Sequence, residues 1–274
     1  MKYADLHIHS SYSDGVLSPE EIIDLAKKQG IKYISITDHD TIAAQYISEI
    51  NNAGVNVIPG IEFSTEYNDL EIHILGYFIN INNKRLNEAV NRLKISRVER
   101  TNKILEKLKE DNIHITIDEI AVDLDSSIGR GHIANAIVRK GYADNYKEAF
   151  LKYLVKGKSA YVKGQKLTYK ETLKIINEAG GIAILAHPGK IYRKIEIENI
   201  IKELKCYGLK GIEVYHPSHS KEQINSFYNL SKKYKLLITG GSDFHGAANK
   251  EIFLGSQGIN ELLLDKLINF KQKQ

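Results

Sequence analysis

The 274-residue chain has one cysteine, Cys206, one methionine, four prolines and no tryptophan. A single thiol excludes a disulfide framework and any zinc site built from cysteines, and it makes a reducing, cytoplasmic setting the default expectation. No apolar run approaches the ~20 residues that cross a bilayer. The opening residues, Met1-Lys2-Tyr3-Ala4-Asp5, lead straight into polar chemistry without a signal-peptide core. No membrane association and no obligate protein partner is expected. Hydrophobic residues at 42% and charged residues at 26% exclude a disordered or collagen-like chain. Against these scarcities stand ten histidines and 16 tyrosines.

Charge divides the chain. Residues 84–170 hold 19 Lys+Arg and 11 Asp+Glu, a surplus of +8, although the whole chain carries only +4. A basic segment is therefore inserted into a mildly acidic body. The body, 1–83 and 171–274, alternates short Ile/Leu/Val-rich runs at 33–37, 55–59, 72–77, 182–186, 211–215 and 236–239, plus one starting near Tyr3, with helix-start signals at Ser18-Pro19-Glu20-Glu21, Thr168-Tyr169-Lys170-Glu171 and Ser220-Lys221-Glu222-Gln223. Such alternation predicts an α/β fold with parallel strands. The insert, 84–170, reads as a small helical cap: one long helix at 84–111 and shorter ones near 117–123, 131–140 and 144–154. Cys206 falls in a helical stretch and is expected to be a small buried residue.

Histidines and acids cluster where these strands end. The runs terminate in Asp5-Leu6-His7-Ile8-His9 followed by Asp14, in Thr37-Asp38-His39-Asp40, in Pro59-Gly60-Ile61-Glu62, in Ala186-His187-Pro188, in His216-Pro217-Ser218-His219 and in Ser242-Asp243-Phe244-His245, with His73 in a further strand. Alternation on a strand points His7 and His9 to one side, and Asp243 and His245 repeat that spacing. Alone, His73 reads as a hydrogen-bonded core residue and Asp38 as a turn cap. Together the set reads as a metal site, because imidazole with carboxylate suits Zn, Mn or Fe. At three or four protein ligands per ion, so many donors imply two or three divalent metal ions.

The motifs Asp5-Leu6-His7-Ile8-His9-Ser10 with Ser13-Asp14-Gly15, Thr37-Asp38-His39-Asp40, Ala186-His187-Pro188 and Gly241-Ser242-Asp243-Phe244-His245 resemble those of the PHP (polymerase and histidinol phosphatase) family. Gly60-Ile61-Glu62-Phe63 and Glu71-Ile72-His73 fit the stretch between them. The resemblance spans the whole chain and implies a distorted seven-stranded β/α barrel with a trinuclear metal site. Carried over residue by residue, it places His7, His9, Glu62 and Asp243 on one metal, Glu62, His73 and His187 on a second, and Asp14, His39 and His245 on a third. Asp14 stands where some relatives have histidine. That shifts the likeness to the TrpH-like branch, whose members resemble nucleotide phosphatases and RNA-trimming exonucleases.

The same branch carries a Gly-Arg-x-His stretch lining its substrate pocket, similar to Gly129-Arg130-Gly131-His132 here. Arg130 and His132 are therefore candidate substrate-binding residues. Composition alone would leave Arg130 on the surface. His216 and His219 are candidates for donating a proton to the leaving oxygen, and His219 for binding a second phosphate; Asp243 joins them as a catalytic candidate besides its role as ligand. No acid occurs between Phe150 and Lys170, where six lysines alternate with Tyr153, Tyr161 and Tyr169. That pattern suits a solvated face or a phosphate backbone with stacked bases. The reading is a metal-dependent phosphoesterase acting on a nucleoside 3′,5′-bisphosphate or a short 5′-phosphorylated RNA. The rivals are histidinol-phosphate phosphatase, amide hydrolysis, and a non-catalytic, metal-loaded nucleic-acid-binding module.

Overall fold

Strand β1 (Ala4–Ile8) is buried along its whole length and pairs in parallel with β2 (Tyr33–Ile36), which pairs in parallel with a two-residue β3 (Asn56–Val57). Helix α1 (Pro19–Lys28) connects β1 to β2. It opens where Ser18 and Glu21 cap each other's backbone N–H groups, and it lays Ile22, Ile23 and Ala26 onto Ile8, Ile34 and Ile36. The computed structural model describes residues 3–46, 54–120, 127–191, 196–246 and 252–274.

The second sheet contains β4 (Gly60–Tyr67), β5 (Leu70–Tyr77), β6 (Leu167–Thr168), β7 (Ile182–Leu185), β8 (Gly211–Tyr215) and β9 (Leu237–Gly240), standing side by side as β6-β4-β5-β7-β8-β9. It corrects the all-parallel expectation. β5 runs antiparallel to both β4 and β7. The cause is local: Asn68 and Asp69 take positive φ of 45° and 64°, the conformation of a two-residue hairpin turn, which Asn and Asp tolerate. The run at 55–59 shrinks to β3, and Glu62, expected at a strand's exit, is the third residue of the eight-residue β4. Nine strands are thus present among the described residues, two of them only two residues long. The two sheets are joined by isolated parallel bridges, His39 with Glu62 and Ile8 with Phe244.

Helix α2 (Lys84–Glu110) has 27 residues and is about 40 Å long at 1.5 Å per residue. Its first half buries Leu86, Ala89 and Leu93 in the main core. Its second half gives Ile104, Leu105 and Leu108 to a separate cluster whose buried members lie between residues 104 and 160. That cluster also takes residues of α3 (Arg130–Arg139) and α4 (Tyr146–Ala149). The helix expected at 144–154 is the single turn of α4 followed by a wider π turn at Phe150–Leu154. Of the stretch near 117–123, a 3₁₀ turn covers Ile117–Glu119, and 121–126 lie outside the described residues. Helices α5 (Tyr169–Glu178), α6 (Ile197–Cys206), α7 (Lys221–Tyr234) and α8 (Glu261–Gln272) complete the body. Cys206, expected buried, is exposed at the end of α6. No helix among the described residues is long and apolar enough to cross a membrane.

Candidate metal centre

The nine residues singled out as metal ligands converge. His7 comes from β1 and His9 follows it; Asp14 lies in the next loop; His39 follows β2; Glu62 and His73 come from β4 and β5; His187 follows β7; Asp243 and His245 follow β9. Close approach of the β9 exit to β1 depends on Gly241, where a Cβ would sit 2.4 Å from the backbone nitrogen of His7. Gly15 is equally constrained, since its Cβ would lie 2.2 Å from the His9 carbonyl oxygen.

Glu62 is the hub. Its Oε2 lies 3.3 Å from His7 Nε2, 3.3 Å from His9 Nε2 and 3.0 Å from His39 Nδ1. Its Oε1 lies 2.8 Å from His73 Nδ1 and 3.0 Å from His187 Nε2. Asp243 Oδ1 stands 3.2 Å from His9 Nε2 and 3.5 Å from His7 Nε2. Asp14 Oδ1 stands 3.2 Å from His245 Nε2, and its Oδ2 3.9 Å from His39 Nε2. Ligand atoms fall into four overlapping groups: His9-Asp14-His39-His245, His7-His9-Asp243, His7-Glu62-His187 and His39-Glu62-His73. Donors are shared more widely than in the three sets that the resemblance implies, with His7, His9, His39 and Glu62 each in two groups.

The electrostatics keep the acids of the cluster ionised. Burial alone would raise the Glu62 carboxyl, but the imidazoles of His39, His73 and His7 hold it well below the usual range. Burial is likewise outweighed at Asp14 by His245 and His39, and at Asp243 by His7 and Lys190. His187 goes the other way, pushed down to about 4 by burial, so it stays neutral with a lone pair to offer. Five buried atoms of the cluster have no hydrogen-bond partner: His7 Nε2, His9 Nε2, Asp14 Oδ1, His39 Nδ1 and Glu62 Oε2. Orphaned polar atoms are costly in an interior. Lone pairs of imidazole and carboxylate facing one another fit divalent cations, which satisfy several donors at once.

Neighbouring polar residues hold this arrangement. Asp38 accepts from Ser10 N at 2.7 Å, Ser10 Oγ at 2.6 Å and Ser13 Oγ at 2.6 Å, bracing the loop that carries Asp14. Asp5 accepts from Ser242 N at 2.9 Å and Ser242 Oγ at 2.6 Å, tying β1 to the segment before Asp243. His216 Nε2 lies 3.1 Å from Asp243 Oδ2, so it reaches the cluster. His219, a candidate proton donor and phosphate ligand, does not. Its Nδ1 is 2.9 Å from the Val214 carbonyl and its Nε2 accepts from Gly189 N at 3.1 Å. With both ring nitrogens engaged by backbone, it clamps two loops together. His132 accepts the Gly129 N–H at 3.0 Å and so caps its own helix; the adjoining cavity is lined by Arg130 and not by His132.

That cavity, about 190 Å³, lies over Asp14, His39 and His73 and is walled by Arg97, Arg100, Arg130 and Lys166. Arg100 and Arg130 form no ion pair among the described residues; they are held by carbonyls, Arg100 Nε on Val162 O at 2.9 Å and an Arg130 terminal nitrogen on Leu154 O at 3.3 Å. Arg130 also stacks over Phe150, 5.3 Å from the ring centre. Burial, with Arg130 and Arg97 alongside, pushes Arg100 down to about 10. Half-buried, crowded guanidiniums of this kind match a phosphate. The same Arg100, Arg130 and Lys166 also line a second cavity of about 560 Å³, with Lys156, Tyr161 and Lys163 beyond them.

Sequence reasoning missed Arg97, Arg100, Lys190 and Glu213. Arg97 and Arg100 share one face of α2 by their three-residue spacing, a signal hidden among the many cations of that helix. Lys190 reaches Asp243 Oδ2 at 2.5 Å, and nothing local marks it. Glu213 interrupts the apolar run Gly211-Ile212-Glu213-Val214-Tyr215, and a lone acid in a buried strand signals a committed partner.

The chain is similar to proteins of known family. The PHP domain profile matches residues 5–205. A 5′-3′ exoribonuclease of Haemophilus influenzae is 35% identical over 252 residues, 89% of this chain and 90% of that protein. A 3′,5′-nucleoside bisphosphate phosphatase of Chromobacterium violaceum is 31% identical over 250 residues, 89% of this chain and 88% of that protein. A crystal structure from Bifidobacterium adolescentis, provisionally described as a metal-dependent phosphoesterase, superposes with a TM-score of 0.90 at 26% identity, covering 97% of this chain and 95% of that one.

Proposed function

We propose that this chain, which belongs to the PHP domain family, is a metal-dependent phosphoesterase that hydrolyses nucleotide-derived esters: a nucleoside 3′,5′-bisphosphate or the 5′ end of a short RNA. One observation carries the reading. Asp14, His39 and His73, three of the nine clustered metal-type donors, line the same cavity as Arg97, Arg100, Arg130 and Lys166, so ester cleavage and polyanion binding coincide. Two or three divalent ions, Mn, Zn or Fe, fit the donor set of His7, His9, Asp14, His39, Glu62, His73, His187, Asp243 and His245. Bound there, they supply Lewis acidity and lower the pKa of water.

The chain's own groups then orient and neutralise. Arg130 and Arg100 hold a phosphate by charge-assisted hydrogen bonds, fixing the ester over the cluster. The Phe150 ring and the Leu154 carbonyl keep the Arg130 guanidinium from turning away. His216, hydrogen-bonded to Ser218 and Asp243, is the remaining candidate for giving a proton to the leaving oxygen. Architecturally, the two bridges that join the sheets support a distorted seven-stranded barrel of β1, β2, β4, β5, β7, β8 and β9, with 1–83 and 171–274 as body and 84–170 as a basic helical cap. A cytoplasmic location accords with the single cysteine.

The test is kcat/KM on adenosine 3′,5′-bisphosphate, AMP, a 5′-phosphorylated oligoribonucleotide and histidinol phosphate, with Mn²⁺. The bisphosphate or the oligonucleotide should lead. Histidinol phosphate in first place, or no advantage of either over AMP, would refute the assignment.

A further inference from the structure

Glu213 belongs to none of the four ligand groups, yet it is completely buried in the middle of β8. A carboxylate so placed must be satisfied by specific partners. Its Oε1 lies 3.1 Å from His7 Nδ1, and its Oε2 accepts the backbone N–H of His187 at 2.7 Å. The His187 backbone sits at φ 23° and ψ 61°, a left-handed region that side chains other than glycine adopt only when the surroundings enforce it. From that conformation His187 Nε2 reaches Glu62 Oε1 at 3.0 Å. On the other branch, the His7 ring turns Nδ1 to Glu213 and leaves Nε2 facing Glu62 and Asp243.

We propose that Glu213 is a positioning residue for the metal centre: one buried carboxylate sets the tautomer of His7 and the backbone conformation of His187, so that the Nε2 lone pairs of both converge on a cation shared with Glu62. The inference rests on the metal-dependent reading above. The two donors facing Glu213 come from segments 180 residues apart in the chain, numbered 7 and 187, and each needs an acceptor. Glutamine offers one acceptor oxygen and an NH₂ group. In Glu213→Gln, either the His187 N–H loses its partner or the NH₂ faces His7 Nδ1 and drives the ring to the Nε2–H tautomer, which cannot ligate through Nε2.

The test measures metal rather than turnover. Chelator-stripped wild type and Glu213→Gln are titrated with Mn²⁺ and Zn²⁺ in metal buffers, and the bound ions are counted. The variant should bind at least one ion ~10–100-fold more weakly, the usual cost of removing a partner behind a ligating histidine, while its melting temperature in chelator stays near wild type. A merely structural role predicts the reverse, lower stability in chelator with unchanged affinity, and would overturn the proposal. Should the variant not fold, ¹⁵N-histidine NMR of Zn²⁺-loaded wild type decides. His7 must carry its proton on Nδ1 and its metal on Nε2; the opposite assignment, or an Nδ1 accepting a proton from Glu213, overturns it. A wild-type chain that takes up no divalent cation overturns the metal-centre reading itself, which sets that failure apart from equal affinities in wild type and variant.

Discussion

Arg97, on the long helix α2, forks onto one oxygen of Asp40, with Nε at 3.1 Å and a terminal nitrogen on the same atom. Asp40 is 3% exposed and accepts the Ser64 N–H at 2.9 Å through its other oxygen. This pair joins the basic segment to the loop carrying His39 and to the strand carrying Glu62. It converts the position of α2 into a property of the site.

Asp40→Asn should therefore loosen both. Removing the Asp40 charge leaves the half-buried Arg97 guanidinium without its counter-ion, at a cost of about 1–3 kcal/mol. Urea unfolding should show that loss in the midpoint. A midpoint equal to wild type would make the contact incidental.

Metal removal is the second prediction. Saturating Mn²⁺ should load more than one ion per chain, and chelation should abolish hydrolysis. Elemental analysis finding at most one ion would sink the multinuclear arrangement. Glu62→Gln should be the most damaging single change among the ligands, because Glu62 contacts five imidazoles. A loss of several kcal/mol in charge stabilisation corresponds to a fall in kcat on the order of a thousandfold.

For Arg130→Ala, the expected outcome is a higher KM for doubly phosphorylated substrates and a lower kcat, at unchanged metal content. A lost charged hydrogen bond is typically worth ~1.5–3 kcal/mol, or roughly ten- to a hundredfold. Steady-state kinetics with parallel metal analysis checks this, and unaltered kinetics on the best substrate would return Arg130 to the surface.

Salt provides a fourth check. Lys156 and Lys163 are exposed at the rim of the larger cavity, so their pull on a polyanion is screened as ionic strength rises. The preference for an oligonucleotide over AMP should narrow between 50 and 300 mM salt. A preference independent of salt would place the discrimination in the half-buried arginines alone.

By itself the sequence determined the chemistry and much of the local structure. All nine metal-type donors were legible because each sits in a short motif at or near a strand, and the caps of α1, α5 and α7 because Ser18, Thr168 and Ser220 carry a Glu or Gln three residues on. Local signals also exist for what went unread: Asn68-Asp69 turns β4 back into β5, and Glu213 breaks an apolar strand. Only the tertiary structure decided which atoms meet. That Glu62 gathers five imidazoles, that His219 spends both nitrogens on backbone, that Arg97 and Arg100 face the cluster while other cations of α2 do not, and that Glu213 touches His7 across 206 positions are all matters of distance and direction between remote segments. A motif specifies which lone pairs and charges are available; the packing of β1 against β8 and β9, and of α2 against the loop at Asp40, sets where each one points.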